Sequence, residues 1–474
     1  MQFVFTHIAK IIPLVPARVF FLAAMLFASL FVGLHAQASD ASYTWILRGA
    51  KVYVAPNLTP ITDGVVLVRG DKIVAVGTKA SVVIPPGARE SVCSGGIIAA
   101  GFQNSHVHFV GESWSSAGNQ PAAELTRKLV MMLTRYGYST VVDIASDRDN
   151  TLALRARIER GGVAGGGRGD VRGPRILTAG LPIFPPNGIP IYLDHFPREF
   201  IERLPQPADV EGAVKVVREN LDAGADGTKL FIATPQAKHI QRMPAAIARA
   251  AADETHRRGR LVFAHPTDIA GVAASVAVGV DILAHTTLGV ETPWPDALRL
   301  QAIQQGMLVI PTLKLMGYEL SKEKAPPTIT TRMVDASVAH VRAFVAAGGQ
   351  VLFGTDAGYM SDVDPTEEYV LMAKAGMTPM QILASLTTVP AERWKESNRR
   401  GRVAAELDAD LVVLDADPAA DECFRGQSSG CETNAHSDPE CSEVHDQRCA
   451  APHHVPDRHS GRPVNHVLQR PYGP

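Results

Sequence analysis

From Trp45 to Val92, apolar and polar positions fall in short β-branched runs, WILRGAKVYV, GVVLVRGDKIVAVG and SVVIP, separated by Gly, Pro and Asp. Such runs with turn residues between them predict a small antiparallel unit. From Gly101 the pattern changes. Short apolar runs now alternate with longer stretches of helical period, such as PAAELTRKLVMMLTRYG and MPAAIARAAADETHRRG. This is the pattern of repeated βα units. Eight runs read as strands: GIIAAGFQ (96–103), TVVDIAS (140–146), RILTAG (175–180), GTKLFI (227–232), LVFAH (261–265), DILAH (281–285), LVIPTL (308–313) and QVLFGTD (350–356). Their starts lie 20 to 52 residues apart, around the ~30 that a βαβ unit needs. Eight parallel strands close naturally into a (β/α)8 TIM barrel. The predicted class is therefore α/β, with the barrel over residues 96–400.

The two ends of the chain read differently. Lys10 and Arg18 precede an uncharged apolar run, Val19 to Leu34, followed by Ala36-Gln37-Ala38. A basic start, an apolar centre and an A-x-A site predict a secretory signal peptide over residues 1–38. The run is 16 residues, short of the ~20 a membrane span needs. The expected location is thus secreted or periplasmic, with no stable membrane association once the signal is cleaved. At the other end, GRVAAELDADLVVLDADP returns briefly to strand pattern. Residues 421–474 then lack Lys, Ile, Met and Trp but hold six His, six Pro and four Cys. So few apolar side chains do not offset the entropy of ordering, and a disordered tail is expected. Its abrupt onset after Asp421 has the composition of an out-of-frame translation or an unrelated extension.

Composition narrows the chemistry. The chain has 474 residues, 46 Lys+Arg against 48 Asp+Glu, and 46% hydrophobic residues. A net charge of -2 excludes a basic nucleic-acid footprint. Five Cys exclude a disulfide scaffold, and the spacings of Cys423, Cys431, Cys441 and Cys449 match no zinc motif. There is no H-E-x-x-H, no G-x-S-x-G and no P-loop. What remains is at strand ends. His106 and His108 are two apart on an extended segment, so their imidazoles face the same way and suit a divalent metal. Lys229 lies in the fourth run, His265 and His285 close the fifth and sixth, and Asp356 closes the eighth. Barrel enzymes do their chemistry at the C-terminal ends of their strands. Five strands delivering metal-type residues to one rim is more than packing requires. A metal cluster would also supply the partner that buried charge at Lys229 and Asp356 needs.

At this point the segments AAGFQNSHVHF, GADGTKLF, VFAHP, VDILAHTT, VLFGTDAGY and ADLVVLDADP, in this order, resemble the amidohydrolase superfamily, more narrowly the imidazolonepropionase-like amidohydrolases. The resemblance implies a barrel plus a small composite β-sandwich built from residues 39–95 and 401–420, the second part incomplete. It implies two divalent metal ions, zinc by default for a His/carboxylate site. His106 and His108 would hold one ion with Asp356, and His265 and His285 the other. Lys229 would bridge them as an N6-carboxylated lysine. Asp356 would also serve as catalytic general base and then general acid, for attack by a metal-activated hydroxide. Asn104 stands where the family usually has Asp, two residues before the first His. His265-Pro266-Thr267-Asp268 departs from the H-x-x-E of the superfamily's deaminases, which argues for a two-metal hydrolase.

The implied reaction is hydrolysis of a C–N bond in a small-molecule amide, cyclic amide or dipeptide. Trp114, Tyr192, Lys314 and Tyr359, all just past strand ends, are candidate substrate contacts, with His195 in the Pro-rich segment 181–197. An esterase, lactonase or phosphoesterase on the same metals stays open, as does an inactive product of the unusual C-terminus. A homo-oligomer is also left open.

Overall fold

Every second side chain of a strand faces one way, and the strands of this protein use both faces. In the computed structural model the described residues are 44–90, 96–159, 169–193, 196, 198–287, 290–420 and 466–468. The expected signal peptide, His195 and most of the tail lie outside them. The N-terminal strands are β1 (Thr44–Val52), β2 (Ile61–Arg69), β3 (Lys72–Thr78), β4 (Arg89–Glu90) and β5 (Ile97–Ala100). Strands β2 and β3 are joined through Gly70 at φ 60°, a conformation glycine adopts without steric cost. Along β2, Val66 and Val68 enter one apolar cluster with Val52, Ile73 and Ile98, whereas Val65 and Leu67 enter another with Ile46.

After Gly101 the strands are β6 (Phe102–Val107), β7 (Tyr138–Asp143), β8 (Arg175–Thr178), β9 (Gly227–Phe231), β10 (Ala233–Pro235), β11 (Ile240–Arg242), β12 (Leu261–His265), β13 (Ile282–Ala284) and β14 (Leu308–Ile310). The last two are β15 (Leu411–Leu414) and β16 (His466–Leu468). A mixed seven-stranded sheet runs β16-β15-β5-β1-β2-β3, with β4 beside β1. Two further sheets are parallel, β6-β7-β8 and β14-β13-β12-β9, and β10 with β11 forms a hairpin. Helices alternate with the parallel strands. Two of them, Val210–Asp222 and Ile269–Val278, start on Asp209 and Asp268, whose carboxylates accept from Gly212 N and Gly271 N. Each carboxylate satisfies an amide that the helix leaves without a partner.

The parallel strands also have two buried faces. Phe263, Ile282, Ala284, Leu308 and Ile310 join Val142, Leu177 and Leu352 in a cluster lying between strands. The alternate residues Val262, Ala264, Leu283 and Val309 pack instead against helix residues such as Val217, Ile247 and Val276. Lys229 pairs in register with Phe263, and His265 lies two residues beyond it. Both are thereby on the strand face away from the helices.

Three details differ from expectation. The run at 96–103 divides at Gly101: Ile97–Ala100 pairs with β1 and β15, and only Phe102 onward enters the parallel sheet. The run QVLFGTD and the residue after it make isolated parallel pairings, Val309 with Val351 and Val107 with Ala357, instead of a ladder. The cause is close approach to β6. A Cβ on Gly354 would lie 2.7 Å from His106 Cβ, and one on Gly358 would lie 1.9 Å from the His108 carbonyl oxygen. Within the expected tail, the described residues His466–Leu468 lie antiparallel on β15.

Arg400 holds the final turns to this framework. It is buried and contacts Asp410 at 2.8 Å, Asp408 at 3.1 Å and Glu396 at 3.2 Å. Replacing it with Ala strands Asp410 and takes one cation each from Asp408 and from Glu396, which keeps Arg175. Arg400→Ala is expected to cost about 3 kcal/mol, read as a lower midpoint in urea denaturation.

Candidate active site

Strand β6 ends on His106 and Val107, His108 follows directly, and both imidazoles are buried. Their Nε2 atoms are 3.1 Å apart. Asp356 meets them from the 350–356 segment. Its amide donates to the His106 carbonyl (2.9 Å), and its Oδ1 lies 2.7 Å from His108 Nε2 and 3.2 Å from His106 Nε2. Neither approach has hydrogen-bond geometry, so Oδ1 is a buried oxygen without a hydrogen-bond partner. His285 follows β13; its ring centroid is 4.6 Å from that of His106 and its Nε2 is 3.9 Å from Asp356 Oδ2. One donor atom each of His106, His285 and Asp356 lies within 4.8 Å of the others. His265 packs edge-on to His285 at 4.9 Å and stacks on Phe231 at 5.0 Å.

Local backbone strain aims these groups. His285 has φ 77° and Asp356 φ 57°, left-handed conformations that non-glycine residues adopt only when held there. Thr312 Oγ1, 2.5 Å from His285 Nδ1, fixes the ring and leaves Nε2 facing the cluster. Asn104 ties the two halves together. Its Oδ1 accepts from His106 N (3.1 Å) and Thr355 N (3.3 Å), and its Nδ2 donates to Thr355 Oγ1 at 2.7 Å. A carboxylate at 104 could accept but not donate. The departure from Asp therefore accompanies a bond that only the amide makes.

Burial dominates the electrostatics. It lowers the imidazole of His106 to about 4 and that of His265 to about 3, and holds His285 well below its ordinary value. Neutral imidazole is the form that ligates metal. Burial also lowers Lys229 to about 7, opposed by the charge of Asp356. Burial works against ionisation of Asp356, but His106 and His108 outweigh it and hold the carboxyl well below its ordinary value. Neutral nitrogens converging on an ionised oxygen that no hydrogen bond satisfies are a donor set that fits a divalent cation.

The predicted ligands gather around one cavity of about 310 Å³, lined by His106, His108, Lys229, His265, His285 and Asp356. Tyr192 and Tyr359 line it too, with ring centroids 6.1 Å apart. Trp114 and Lys314 do not. Trp114 packs edge-on to Phe109 in the core, and Lys314 turns away to Asp362 Oδ2 (2.8 Å) and the Asp364 carbonyl (2.7 Å). Being just past a strand end does not decide where a side chain points. Sequence reasoning missed most of the walls. Phe231 could have been found, since it is two residues from Lys229 on one strand. Phe184 and Leu204 lie in irregular stretches and Phe200 in the short helix Arg198–Ile201, none with a readable period, and Glu319 is on the helix Lys314–Lys322, where nothing marks it. Asp143, fully buried, ends β7 in the structure but falls inside the run predicted at 140–146, so no strand-end signal marks it.

The comparisons agree with this geometry. The model for the amidohydrolase family matches residues 97–436. The chain belongs to the amidohydrolase family. Among solved structures, this amidohydrolase resembles a Xaa-Pro dipeptidase with bound methionine (TM-score 0.66, 19% identity, 81% of this chain and 96% of that one). It also resembles a putative prolidase from Bifidobacterium longum (TM-score 0.64, 24% identity, 81% and 92%). A curated relative, ochratoxinase of Aspergillus niger, is 24% identical over 177 residues. That match spans 36% of this chain and only about a third (35%) of ochratoxinase. The expectation of a hydrolase stands with the family.

Acid should unfold the metal-free amidohydrolase through these rings. His106 and His265 bind protons less readily folded than unfolded, so their contribution is whole above about 6.5 and is lost as pH falls toward about 4. Urea midpoints of metal-free protein measured across that range are expected to drop, and His265→Gln is expected to flatten the slope.

Proposed function

We propose that this chain is a metal-dependent hydrolase of C–N bonds, acting on an amide, cyclic amide or dipeptide that carries a bulky apolar group. One observation carries the reading: Asp356 and the imidazoles meet at a cavity whose remaining walls are mostly hydrocarbon. Phe184 stacks on Phe231 at 4.3 Å, and Phe231 in turn on His265. An apolar group seated there would lie beside the reacting centre. The names of the similar proteins, a dipeptidase and a prolidase, support C–N cleavage.

With this reading goes a (β/α)8 barrel. Strands β6 to β9, β12 to β14 and the 350–356 segment are its eight members, and the isolated pairings of Ile183 with Leu230, Val309 with Val351 and Val107 with Ala357 support its closure. His106, His108 and Asp356 would hold one divalent ion, and His265 and His285 a second, zinc suiting this donor set. Lys229 would bridge them as a carbamate. Its burial supports this, since a neutral amine can bond through nitrogen to the carbon of CO2, release a proton and become an anionic ligand. When bound, the ions supply an acidified water and a polarised carbonyl. The chain supplies the proton route: Asp356, kept ionised, accepts the water's proton and returns it to the leaving nitrogen. The apolar walls exclude bulk water, which strengthens each of these charges. Export through residues 1–38 belongs to the same proposal and rests on the composition of that segment.

Two measurements test this. Protein reconstituted with zinc and bicarbonate is expected to hydrolyse amides of phenylalanine at least ~10-fold faster in kcat/KM than the glycine counterparts, from the difference in apolar burial. Faster turnover of lactones or phosphotriesters than of any amide would refute it. Asp356→Asn is expected to lower kcat by about 100-fold or more, and stripping the metal to abolish turnover until zinc returns.

A further inference from the structure

Asp143 has no part in the reaction as drawn, yet its side chain is fully buried. It ends β7, beside β6, and Val107 pairs with it in register. Each carboxylate oxygen is held by a hydroxyl. Ser146 Oγ donates to Oδ1 and Thr151 Oγ1 donates to Oδ2, both at 2.6 Å. Held in this way, Oδ1 lies 4.0 Å from His108 Nδ1, and that nitrogen is buried without a hydrogen-bond partner. The opposite ring nitrogen, Nε2, is the one that meets Asp356. His108 is thus flanked by two carboxylates, one at each nitrogen.

We propose that Asp143 is a positioning residue for metal uptake, acting through His108 from behind. The inference rests on the metal-centre reading above. For Nε2 to offer its lone pair to a cation, the ring proton must sit on Nδ1. A fixed anion facing Nδ1 favours that tautomer and makes the ring a better donor. The same cluster also grips the backbone. Ser146 Oγ, while donating to Asp143, accepts from Phe109 N at 2.8 Å, the amide directly after His108. Ring and main chain of His108 are therefore referred to one buried carboxylate. The arrangement is costly to the metal-free fold, because a fully buried carboxylate held by two neutral hydroxyls has given up water for little opposite charge. A bound dication would supply the missing charge. Asp143 is accordingly a group that serves the loaded state at the expense of the empty one.

That trade-off separates positioning from packing. Asp143→Asn keeps an oxygen for the hydroxyls and removes the charge. By chelator competition its zinc affinity is expected to fall about 10- to 100-fold, while the melting temperature of the metal-free protein stays level or rises. Ser146→Ala keeps the charge but frees the carboxylate and the Phe109 amide; a smaller loss of affinity is expected, and this variant decides the matter should Asp143→Asn not fold. Wild-type zinc affinity in Asp143→Asn, or in Ser146→Ala where only that variant folds, overturns the proposal. So does a lower melting temperature of the metal-free form with unchanged affinity in the folded fraction, which assigns Asp143 to packing. Wild-type protein that takes up no zinc refutes the metal centre itself, a different failure from an unaltered variant beside a zinc-binding parent.

Discussion

The site depends on keeping the Asp356 carboxylate ionised away from water. An isolated buried anion is too costly to persist. Here His106 and His108 face it from the end of β6 and outweigh the cost of burial, and His285 Nε2 lies 3.9 Å from its other oxygen. The result is an oxygen with its charge intact and no hydrogen bond to satisfy it. Everything else around the cavity maintains this condition: glycines that let two segments touch, strained backbone that aims two ligands, and aromatic walls that keep solvent from diluting the field.

The period of the β-strand does most of the placing. Residues two apart share a face, so Phe263 in the core and His265 at the rim belong to one row. Phe231 is in the same relation to Lys229. A strand that packs Val262 and Ala264 against helices on one side cannot avoid presenting its alternate residues on the other. Core and chemistry are thus one pattern read at different heights. This also explains the bonds of Asn104, which fasten β6 to a segment too irregular to form a ladder.

Much of this was legible from the order of residues. The parallel strands coincide with apolar runs, and all six proposed metal-site residues line one cavity. What was illegible had physical causes. The break at Gly101 separates two sheets within a single apolar run, and hydrophobicity does not record which neighbour a strand takes. The 350–356 run has strand composition, but Gly354 trades the ladder for contact with His106. Trp114 and Lys314 satisfy the same positional rule as Tyr359, yet they point elsewhere because each finds a better partner in the core or among carbonyls. The apolar walls Phe184, Phe200 and Leu204 come from turns and short helices whose apolar residues follow no repeating period.

The return of β16 to the edge of β15 has a consequence for biosynthesis. The central strands of that sheet are made early and lead through Gly101 directly into the histidine pair. Their outermost partner, β16, is synthesised only after β15 and the long stretch that separates the two. Throughout elongation of the intervening stretch, the nascent sheet carries an open edge able to recruit another chain. Chaperone occupancy of that edge, or rapid synthesis of the stretch before β16, then limits its pairing with other chains.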